Sequence, residues 1–520
     1  MTAHIERERK YEVRDDGPAP PVAGLTFAGG TTPVDPSSEE LQAVYFDTPD
    51  LRLLRAGITL RRCAGGADAG WHLKVPSAEA DTRVELRLPL EEPVALVAGG
   101  ADTPPSDFTA LLDGHTRGLE LEPVAHIVTD RTTWQLLGEH GRPVAELTDD
   151  RVEATDLRRK STARWREVEV ELTGDGDRAL LTSADAELRR HGLRRSEAPS
   201  KLARALGRVG AEAPGAHGPA GGLDDDTAGA QVVGYLRTQV ARLTRYDLAT
   251  RRGEPDSVHQ LRVATRRLRS TLRVYRGLFD RGVTEPVRTE LRWLGRRLGP
   301  ARDLEVMEET LTREVAEFPA ELVIGPVSAR LTRHFAPARA DAAAAVEETL
   351  RSERYLRLLD AVDRLVADPP LTERASRPAD QELPRHVHKA YRTTRRRVQR
   401  IDGEEHRDDA MRDEALHDAR KAAKRLRYAA ELARPTAGKP ANRLRKRAKK
   451  VASVLGEHQD SAVVRPLLRQ LGTQAQQAGE NGFTFGVLHD RHQELAEDAE
   501  RRFWPAWDRV TAKKARRWLS

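Results

Sequence analysis

The chain begins with a charged stretch, Ile5-Glu6-Arg7-Glu8-Arg9-Lys10. Side chains alternate between the two faces of a β-strand, so Glu6, Glu8 and Lys10 share one face of a strand here. Two carboxylates beside one ammonium fit a site where the carboxylates bind a hard divalent cation and the lysine contacts a phosphate on that cation. A solvated strand with charges on both faces explains the six residues equally well. The rest of the chain has to distinguish the two interpretations.

Length and composition limit the class of protein. The chain has 520 residues, of which 38% are hydrophobic and 32% charged, and one cysteine, Cys63. The length predicts two or three domains. A lone cysteine excludes a disulfide framework and a cysteine zinc site. No apolar run approaches the roughly 18 residues that span a bilayer, and the N-terminus lacks the apolar centre of a signal peptide. We therefore expect a cytoplasmic protein without membrane contact.

Charge is distributed unevenly along the chain. Lys and Arg number 28 against 36 Asp and Glu in residues 1–210, none against 4 in residues 211–228, and 59 against 41 in residues 229–520. The net charges of these segments are −8, −4 and +18. The second half is therefore suited to bind a polyanion, and the first half to hold cations or a charge-balanced site.

Short strands dominate the first half, separated by clusters of Gly, Pro and Asp. The predicted strands are Ile5–Lys10, Gln42–Asp47, Gly57–Cys63, Gly70–Pro76, Arg83–Leu90, Ile127–Leu137, Pro143–Asp150 and Arg166–Leu172. Three helices are predicted at Ser106–Asp113, Arg178–His191 and Pro199–Leu206. Eight alternating strands predict a closed or nearly closed antiparallel barrel.

Alternation also places many charged side chains on one face of this predicted barrel. They are Glu6, Glu8, Lys10, Arg61, His72, Lys74, Arg83, Glu85, Arg87, Arg131, Glu146, Asp150, Glu167, Glu169 and Glu171. Unpaired buried charges are costly, so an apolar core on that side is excluded. A water-filled tunnel holding Mg²⁺ or Mn²⁺ and an oligophosphate explains the pattern. Taken singly, Arg83, Glu85 and Arg87 fit surface strand charges better, and His72 fits an ordinary residue.

Six motifs in order resemble the CYTH family of triphosphate tunnel metalloenzymes across residues 3–208. They are Glu6-x-Glu8-x-Lys10, Tyr45-Phe46-Asp47-Thr48-Pro49, Gly57-Ile58-Thr59-Leu60-Arg61, Trp71-His72-Leu73-Lys74, Glu167-Val168-Glu169-Val170-Glu171 and Ser200-Lys201. The resemblance implies metal ligation by Glu6, Glu8, Asp150, Glu167 and Glu169, and phosphate binding by Lys10, Arg61, Lys74, Arg131 and Lys201. It implies catalytic roles for Glu6, Glu8 and Lys10. The choice between Asp149 and Asp150 stays open, although Asp150 shares the strand face of Glu146.

One position departs from the family pattern. The family usually has arginine at both alternate positions after the leucine of the third strand, whereas this chain has Leu60-Arg61-Arg62-Cys63. A thiol cannot make a bidentate charged contact to phosphate, so one phosphate contact is missing. Arg62 would replace it only if a bulge shifted the strand register.

The second half is predicted to be helical. Glycine, proline and acidic residues at 209–230 predict a flexible linker between a first domain at 1–208 and a second at 231–520. Apolar residues at three- and four-residue spacing then continue to the C-terminus, with breaks near Gly253–Pro255, Gly282, Gly299–Pro300, Pro369–Pro370 and Pro435. The fold class is therefore α+β multidomain, an eight-stranded antiparallel barrel followed by an all-α domain.

An internal repeat organises this helical half. The segment Val258–Arg269 recurs as Leu416–Arg427, 158 residues later, and Leu298-Gly299 with Asp303 recurs as Leu455-Gly456 with Asp460, 157 residues later. Two marks at nearly one offset indicate two copies of a helical unit, at about 231–375 and 380–520.

Each copy carries a basic stripe on one helix face. The stripes are His259, Arg262, Arg266, Arg269 and Arg273 in the first copy and His417, Arg420, Lys424 and Arg427 in the second. Like charges at these spacings repel, so an anion is expected to offset them. Solvated helix faces would explain one such run, and the duplication argues against that. Basic runs at Arg395–Arg397 and Arg443–Lys450 extend the charged surface or merely solvate it.

This half resembles the CHAD family of α-helical domains, which is implicated in binding inorganic polyphosphate. The resemblance implies polyphosphate binding by His259, Arg262, Arg266, Arg269, His417, Arg420, Lys424 and Arg427. The histidines are expected to donate hydrogen bonds to phosphate, because no carboxylate or metal-ligand spacing accompanies them for catalysis.

The sequence thus predicts a triphosphatase joined to a polyphosphate-binding domain. The expected chemistry is Mg²⁺- or Mn²⁺-dependent hydrolysis of inorganic triphosphate or a related triphosphate, in the cytoplasm and in association with polyphosphate granules. A non-catalytic polyphosphate-binding or targeting protein is the alternative that Cys63 supports. A nucleic-acid binder fits less well, because the chain lacks a nucleic-acid motif and has few aromatic residues for base stacking.

Overall fold

The computed structural model describes residues 1–13, 22, 25, 27, 31–65, 69–77, 79–90, 103–138, 140–174, 176–207, 223–403 and 409–519. The chain forms two compact units, Met1–Ala216 and His217–Ser520. Most of the predicted linker at 209–230 lies outside the described residues, and its last three residues belong to a helix that begins at Ala228. Within the described ranges, no helix combines the length and apolarity that crossing a membrane requires.

The first unit is mainly β-structure. Its strands are β1 (Thr2–Glu12), β2 (Thr32–Pro33), β3 (Ser37–Asp47), β4 (Thr59–Ala64), β5 (Gly70–Pro76), β6 (Thr82–Leu88), β7 (Glu122–Leu137), β8 (Pro143–Asp156), β9 (Ser161–Leu172) and β10 (Arg194–Arg195). Its helices are α1 (Arg52–Arg55), α2 (Ser106–Thr116), α3 (Arg178–Arg190) and α4 (Lys201–Ala205). The eight predicted strands and three predicted helices all occur, and the two-residue strands β2 and β10 and the short helix α1 were not predicted.

The eight long strands close into an antiparallel barrel. Their order is β1, β6, β5, β4, β3, β7, β8 and β9, and β9 pairs again with β1. β2 extends β7 and β10 extends β1. The predicted eight-stranded barrel is therefore confirmed. Closure pairs each of the eight long strands with a neighbour on both sides.

Apolar side chains pack outside the barrel and at one end of its interior. Outside, alternate residues of β1, β8 and β9 contact the apolar face of α3 in one buried cluster. Inside, Trp165 follows the same alternation as the acids of β9 and joins Ile127, Cys63 and Leu202 in a second cluster. Helix α4 carries Leu202, so this helix and the second cluster fill the interior at one end.

The Tyr-Phe-Asp-Thr-Pro motif has a structural role at the turn after β3. The buried Asp47 carboxylate accepts hydrogen bonds from the backbone amides of Thr48, Leu53 and Leu54 at 2.7, 2.9 and 2.9 Å. It thereby satisfies amides at the start of α1, which have no partner within the helix. The motif fixes the connection between β3 and β4.

The second unit is helical. Its helices are α5 (Ala228–Arg251), α6 (Ser257–Val274), α7 (Arg281–Arg297), α8 (Gly299–Glu317), α9 (Val327–Arg351), α10 (Glu353–Ala367), α11 (Ala379–Gly403), α12 (Asp409–Leu432), α13 (Arg434–Gln477), α14 (Phe483–Thr511) and α15 (Lys513–Arg516). Buried residues of α5 to α7 and α9 to α14 form one large apolar core, and a smaller cluster joins α8, α9, α13 and α14.

The internal repeat appears as corresponding helices. The segment Val258–Arg269 lies in α6, and its copy Leu416–Arg427 lies in α12. In the first copy, α7 ends and α8 begins around Gly299-Pro300, where proline occupies the first turn of a new helix. The second copy has glutamate instead of proline after Gly456, and α13 continues through this point. Proline lacks the amide that a continuing helix needs, which favours a new helix start at Pro300 in the first copy.

Candidate functional site

Three acidic side chains meet inside the barrel. Asp150 on β8 pairs in register with Glu167 on β9, and Glu169 follows two residues along on the same face. One carboxylate oxygen from each lies within 4.8 Å of the others, and all three side chains are buried. In the described part of the chain, no other group of three His, Cys, Asp or Glu residues has this spacing. The spacing suits a cation with oxygen ligands.

Lys201 contacts all three acids. It is the first residue of α4, and Ser200 caps this helix by accepting a hydrogen bond from the Ala203 amide. Its Nζ lies 2.8 Å from Asp150 Oδ2, 2.8 Å from Glu167 Oε1 and 2.7 Å from Glu169 Oε1. The capped turn thus holds one ammonium at the centre of the acidic group.

Two further cations complete what we name the Lys201 cluster, comprising Lys10, Arg131, Asp150, Glu167, Glu169 and Lys201. Lys10 Nζ lies 2.6 Å from Glu169 Oε1 and 3.3 Å from Glu8 Oε1. Arg131 donates two hydrogen bonds to Asp150, at 2.8 and 2.6 Å, and a third to Glu169 at 3.2 Å. Three cations and three acids therefore balance within the cluster.

The charges of the Lys201 cluster reinforce one another. Burial alone would raise the pKa of Glu169, but Lys10, Lys201 and Arg131 hold it well below its usual range. Burial would lower the pKa of Lys201, whereas the three acids raise it well above its usual range. Ionised Glu169 and protonated Lys201 are therefore favoured at neutral pH, and the cluster offers charges of both signs to charged partners.

A second interior cluster, the Glu85 group, consists of Arg61, His72, Lys74, Glu85 and Arg87. Glu85 is 0% exposed and contacts Arg87. It lies 2.9 Å from His72 Nδ1, 3.6 Å from Lys74 Nζ and 3.7 Å from Arg61 Nη2. Both Glu85 and His72 are buried, on the face to which strand alternation assigned them, so the surface interpretation that fits Glu85 taken singly does not apply.

Glu6, Glu8 and Glu171 form a third interior group, the Glu171 group. Register pairs Glu8 with Glu171, and Glu6 Oε1 lies 2.8 Å from Lys74 Nζ. Burial raises the pKa of Glu171 to about 8, and the charges of Glu6 and Glu8 add to the shift. A cation bound beside these acids would lower that pKa again. Glu171 is an interior acid that the resemblance did not assign.

The acid chemistry fits a hard divalent cation. Glu6 Oε2 is buried and has no hydrogen-bond partner, so this carboxylate has an oxygen left for a ligand. All the acids offer oxygen atoms, which Mg²⁺ and Mn²⁺ prefer. Of the five predicted metal ligands, Asp150, Glu167 and Glu169 come together, while Glu6 contacts Lys74 and Glu8 contacts Lys10.

The geometry also distinguishes two adjacent aspartates. Asp150 pairs with Arg131 and Lys201 in the interior. Asp149 instead pairs with Arg166 at 2.6 Å, on the alternate face of β8 and β9. Asp150 is therefore the aspartate of the Lys201 cluster.

Cys63 packs among apolar side chains and lies close to the Arg61 guanidinium. Its side chain is 6% exposed and belongs to the cluster that includes Ile127, Trp165 and Leu202. The β4–β5 register runs without a shift from Thr59 paired with Lys74 to Cys63 paired with Gly70. No bulge therefore brings Arg62 to the interior face in this strand pair.

We expect Cys63→Arg to destabilise the barrel by about 3 kcal/mol, since it places an unpaired charge among apolar side chains. Hydrogen exchange of the β4 amides in the full-length chain measures this local stability. Cys63→Val is the matched control and should leave exchange nearly unchanged. Unchanged exchange in Cys63→Arg would show that the cluster has room for a cation, contrary to this prediction.

The helical unit brings parts of its two basic stripes together. Burial and the neighbouring Arg420 and Arg266, followed by Arg262, lower the pKa of Lys424 to about 7. Residues from α6 and α12 are therefore close enough to repel one another. We name Arg262, Arg266, Arg420 and Lys424 the α6–α12 site.

Corresponding acids flank this site in both copies. Arg262 donates hydrogen bonds to the Gly299 carbonyl at 2.9 Å and to Asp303 at 3.1 Å. In the second copy, Arg420 lies 3.8 Å from Asp460. A Cβ at Gly456 would lie 3.2 Å from the Arg420 guanidinium, so glycine makes room for it. The two repeated sequence marks thus contact each other within each copy.

The remaining stripe residues lie around the α6–α12 site. Burial, then Arg302 and Arg266, lower the pKa of His259, and burial, then Lys421 and Arg420, lower that of His417. Arg269 lies near Arg292, Arg266 and Arg273. Arg427 stacks on the Tyr428 ring at 5.4 Å. Four stripe residues from the two helices thus come together, while Arg269 and Arg273 lie near Arg425 of α12, a residue that the predicted stripe did not include.

Comparisons with known proteins agree with this two-part architecture. The CYTH domain family model matches residues 4–206, and the CHAD domain family model matches residues 234–469. An uncharacterized protein of Mycobacterium tuberculosis is 37% identical over 518 residues, covering 95% of this chain and 94% of the relative. Thiamine-triphosphatase of Macaca fascicularis is 35% identical over 100 residues, covering 18% of this chain and 40% of that protein.

Two solved structures are similar to parts of the chain. PptA from Streptomyces chartreusis is 23% identical with a TM-score of 0.46, covering 54% of this chain and 99% of that one. The CHAD domain of the plant Ricinus communis is 24% identical with a TM-score of 0.39, covering 57% of this chain and 93% of that one. With both family models matched in this order, the chain belongs to the family of proteins that join an N-terminal CYTH domain to a C-terminal CHAD domain.

Proposed function

We propose that the barrel hydrolyses a phosphoanhydride bond of inorganic triphosphate or a related triphosphate. The observation that carries this proposal is the buried triad Asp150, Glu167 and Glu169 surrounded by the cations of the Lys201 cluster. The similarity to a thiamine-triphosphatase supports a triphosphate as the substrate class. Inorganic triphosphate is preferred because the sequence shows no feature that recognises a nucleobase.

Each charged group has a proposed role. The triad, together with Glu6 and Glu8, would hold Mg²⁺ or Mn²⁺. When bound, the cation supplies charge neutralisation and orients a water for attack.

The proposed phosphate ligands are Lys10, Arg61, Lys74, Arg131 and Lys201. Of these, Lys10, Lys74, Arg131 and Lys201 pair with interior carboxylates within 3.3 Å, and Arg61 lies 3.7 Å from Glu85. Substrate oxygens would replace those carboxylates as partners while the carboxylates turn to the cation. Because the cations are already positioned, little reorganisation is needed to stabilise the charge on the phosphoryl oxygens.

Phosphate release by the purified full-length chain tests the proposal. Inorganic triphosphate, ATP and long-chain polyphosphate are each assayed with Mg²⁺, with Mn²⁺ and with EDTA. We expect release from triphosphate with a divalent cation. EDTA should lower it at least about a hundredfold, because losing only an outer partner of a metal site already costs about 10–100-fold and EDTA removes the cation itself. No release from any substrate would contradict the proposal and favour a binding function for the barrel, the alternative that Cys63 supports.

We also propose that the helical unit binds inorganic polyphosphate at the α6–α12 site and so associates the protein with polyphosphate. Four cations from two helices lie together there, and burial together with repulsion from Arg420 and Arg266 lowers the pKa of Lys424 to about 7. A phosphate chain would relieve that repulsion. The repeated pattern of the stripes favours an extended anion over a single phosphate.

Polyphosphate binding is expected to take up about one proton at about pH 9. Free Lys424, with a pKa of about 7, is mostly neutral there, and phosphate raises its pKa and restores the proton. Below pH 7 the lysine already carries its proton, so uptake by this group disappears, and affinity falls as pH rises above 7. Titration calorimetry in buffers of different ionisation enthalpy measures the uptake. Lys424→Met should abolish it, and equal uptake by this variant would contradict the assignment to Lys424.

A further inference from the structure

The helical unit contains a cavity of about 780 Å³ beside α5 that the α6–α12 site does not include. One face of α5 lines it, together with side chains from α6, α12 and the start of α13. None of Arg262, Arg266, Arg420 and Lys424 lines it. The volume lies in the range of small-molecule binding sites. We name it the α5 cavity.

The α5 cavity is strongly basic. Two acids line it, Asp225 and Glu431. Five arginines line it as well, namely Arg242, Arg267, Arg427, Arg434 and Arg445. Glu431 is already engaged, because its Oε1 lies 3.2 Å from both Arg267 Nη2 and the Tyr235 hydroxyl. In the described part of the chain, no ion pair involves Arg242, Arg427 or Arg434. The cavity therefore offers several guanidinium groups to an anionic ligand.

A buried amide gives the cavity a second chemical feature. Gln239 on α5 is only 1% exposed, lines the cavity, and its Oε1 has no hydrogen-bond partner. A buried acceptor without a partner is unfavourable, so a ligand that donates a hydrogen bond to it gains affinity. An ionised inorganic phosphate chain consists of acceptors and cannot satisfy another acceptor. A ligand that fits must combine phosphates with a hydroxyl or amino group.

We propose that the α5 cavity binds a small organic polyphosphate. Its phosphates contact Arg242, Arg427 and Arg434, and a hydroxyl or amino group on its scaffold donates a hydrogen bond to Gln239 Oε1. Nucleotides and partly phosphorylated polyols share this chemistry. The site is distinct from the barrel interior and from the α6–α12 site, and its occupancy does not depend on triphosphate hydrolysis.

Binding to the full-length chain in EDTA tests this proposal. The probes are ATP, an inositol trisphosphate with free hydroxyls, and inorganic triphosphate as the ligand without a scaffold. Hydrogen exchange of α5 amides between Gln231 and Arg242 reports the α5 cavity specifically. We expect ATP, the inositol trisphosphate or both to protect these amides. Protection by one alone identifies the scaffold, and either result supports the proposal.

Two variants separate the two features of the cavity. The double variant Arg242→Ala/Arg434→Ala should weaken ligand binding, measured as protection of the α5 amides, at least about tenfold, since hydrogen bonds to charged groups are stronger than neutral ones. Gln239→Leu removes the buried acceptor and keeps a similar side-chain volume. It should weaken the binding of the organic phosphates about tenfold and leave the binding of inorganic triphosphate unchanged. The double variant Arg351→Ala/Arg357→Ala, on exposed faces of α9 and α10, is the charge-matched control.

Three outcomes would overturn the proposal. They are an absence of α5 protection by both organic probes, equal protection in the wild-type chain and the Arg242/Arg434 double variant, and an equal effect of Gln239→Leu on all three probes. Thermal unfolding of Gln239→Leu checks that the variant folds, and we expect it to be at least as stable as the wild type because an unmet buried acceptor is removed.

Discussion

Glu8→Gln is expected to slow phosphate release from inorganic triphosphate at least about a hundredfold. The change removes one negative charge and keeps the size of the side chain. Glu8 lies 3.3 Å from Lys10, and Lys10 in turn lies 2.6 Å from Glu169. Burial raises the pKa of Glu8, but Lys10 and Lys74 offset it and keep the pKa below its usual value. The variant therefore loses a permanent charge beside the Lys201 cluster and a proposed ligand of the cation.

The matched control is Glu153→Gln on β8. Glu153 has a side chain that is 48% exposed and pairs with Arg164 at 2.7 Å on the barrel surface. The same substitution there should leave release unchanged, because an exposed ion pair contributes little. Circular dichroism and hydrogen exchange of β1 establish that Glu8→Gln is folded. Release within about threefold of the wild type by a folded variant would remove Glu8 from the proposed catalytic set.

The barrel was predictable because its strands alternate strictly and interior positions carry charge. The register of strands distant in sequence was not predictable in the same way. Alternation placed Glu85 on the interior face together with Arg83 and Arg87, but nothing local indicated which of the three would be fully buried. Glu85 is buried because β6 pairs with β5 and places it beside His72. The pairing of Lys74 with Glu85 across the two strands, which alternation within one strand does not give, is what singles Glu85 out.

The resemblance supplied five proposed metal ligands but not their grouping. The triad forms because β8 and β9 pair Asp150 with Glu167, whereas Glu6 lies in the stretch of β1 that pairs with β6. Which acids come together depends on how the strands pair, and alternation along one strand gives no information about that pairing. Lys201 was identified by its motif, and only the structure shows that it contacts all three triad acids.

The basic stripes show the same limit in helices. Spacing predicted that His417, Arg420, Lys424 and Arg427 share one helix face, and α12 does contain all four. Spacing did not predict that Arg427 would line the α5 cavity instead of joining Lys424 beside Arg266. Two crossing helices contact each other over only part of their length. Residues of one stripe can therefore lie in two different environments.

Arg266→Ala/Lys424→Ala is expected to weaken polyphosphate binding at about pH 6.5 at least about a hundredfold. Each charged contact to phosphate contributes about 1.5–3 kcal/mol, and 1.4 kcal/mol corresponds to tenfold in affinity. Both residues belong to the α6–α12 site, where like charges already repel, so their removal should not unfold the helices.

Arg351→Ala/Arg357→Ala provides the control with the same loss of two charges. These arginines are 61% and 65% exposed and pair with Glu347 and Glu353 on their own helices. If both double variants weaken binding equally, polyphosphate responds only to net charge, and the α6–α12 site is not its specific site. If only Arg266→Ala/Lys424→Ala weakens it, while phosphate release by the barrel is unchanged, binding and hydrolysis belong to separate units of the chain. The proposed binding mode depends on where the cations lie. Polyphosphate can relieve repulsion only where cations are concentrated, as at the α6–α12 site, and a uniform basic surface has no such concentration.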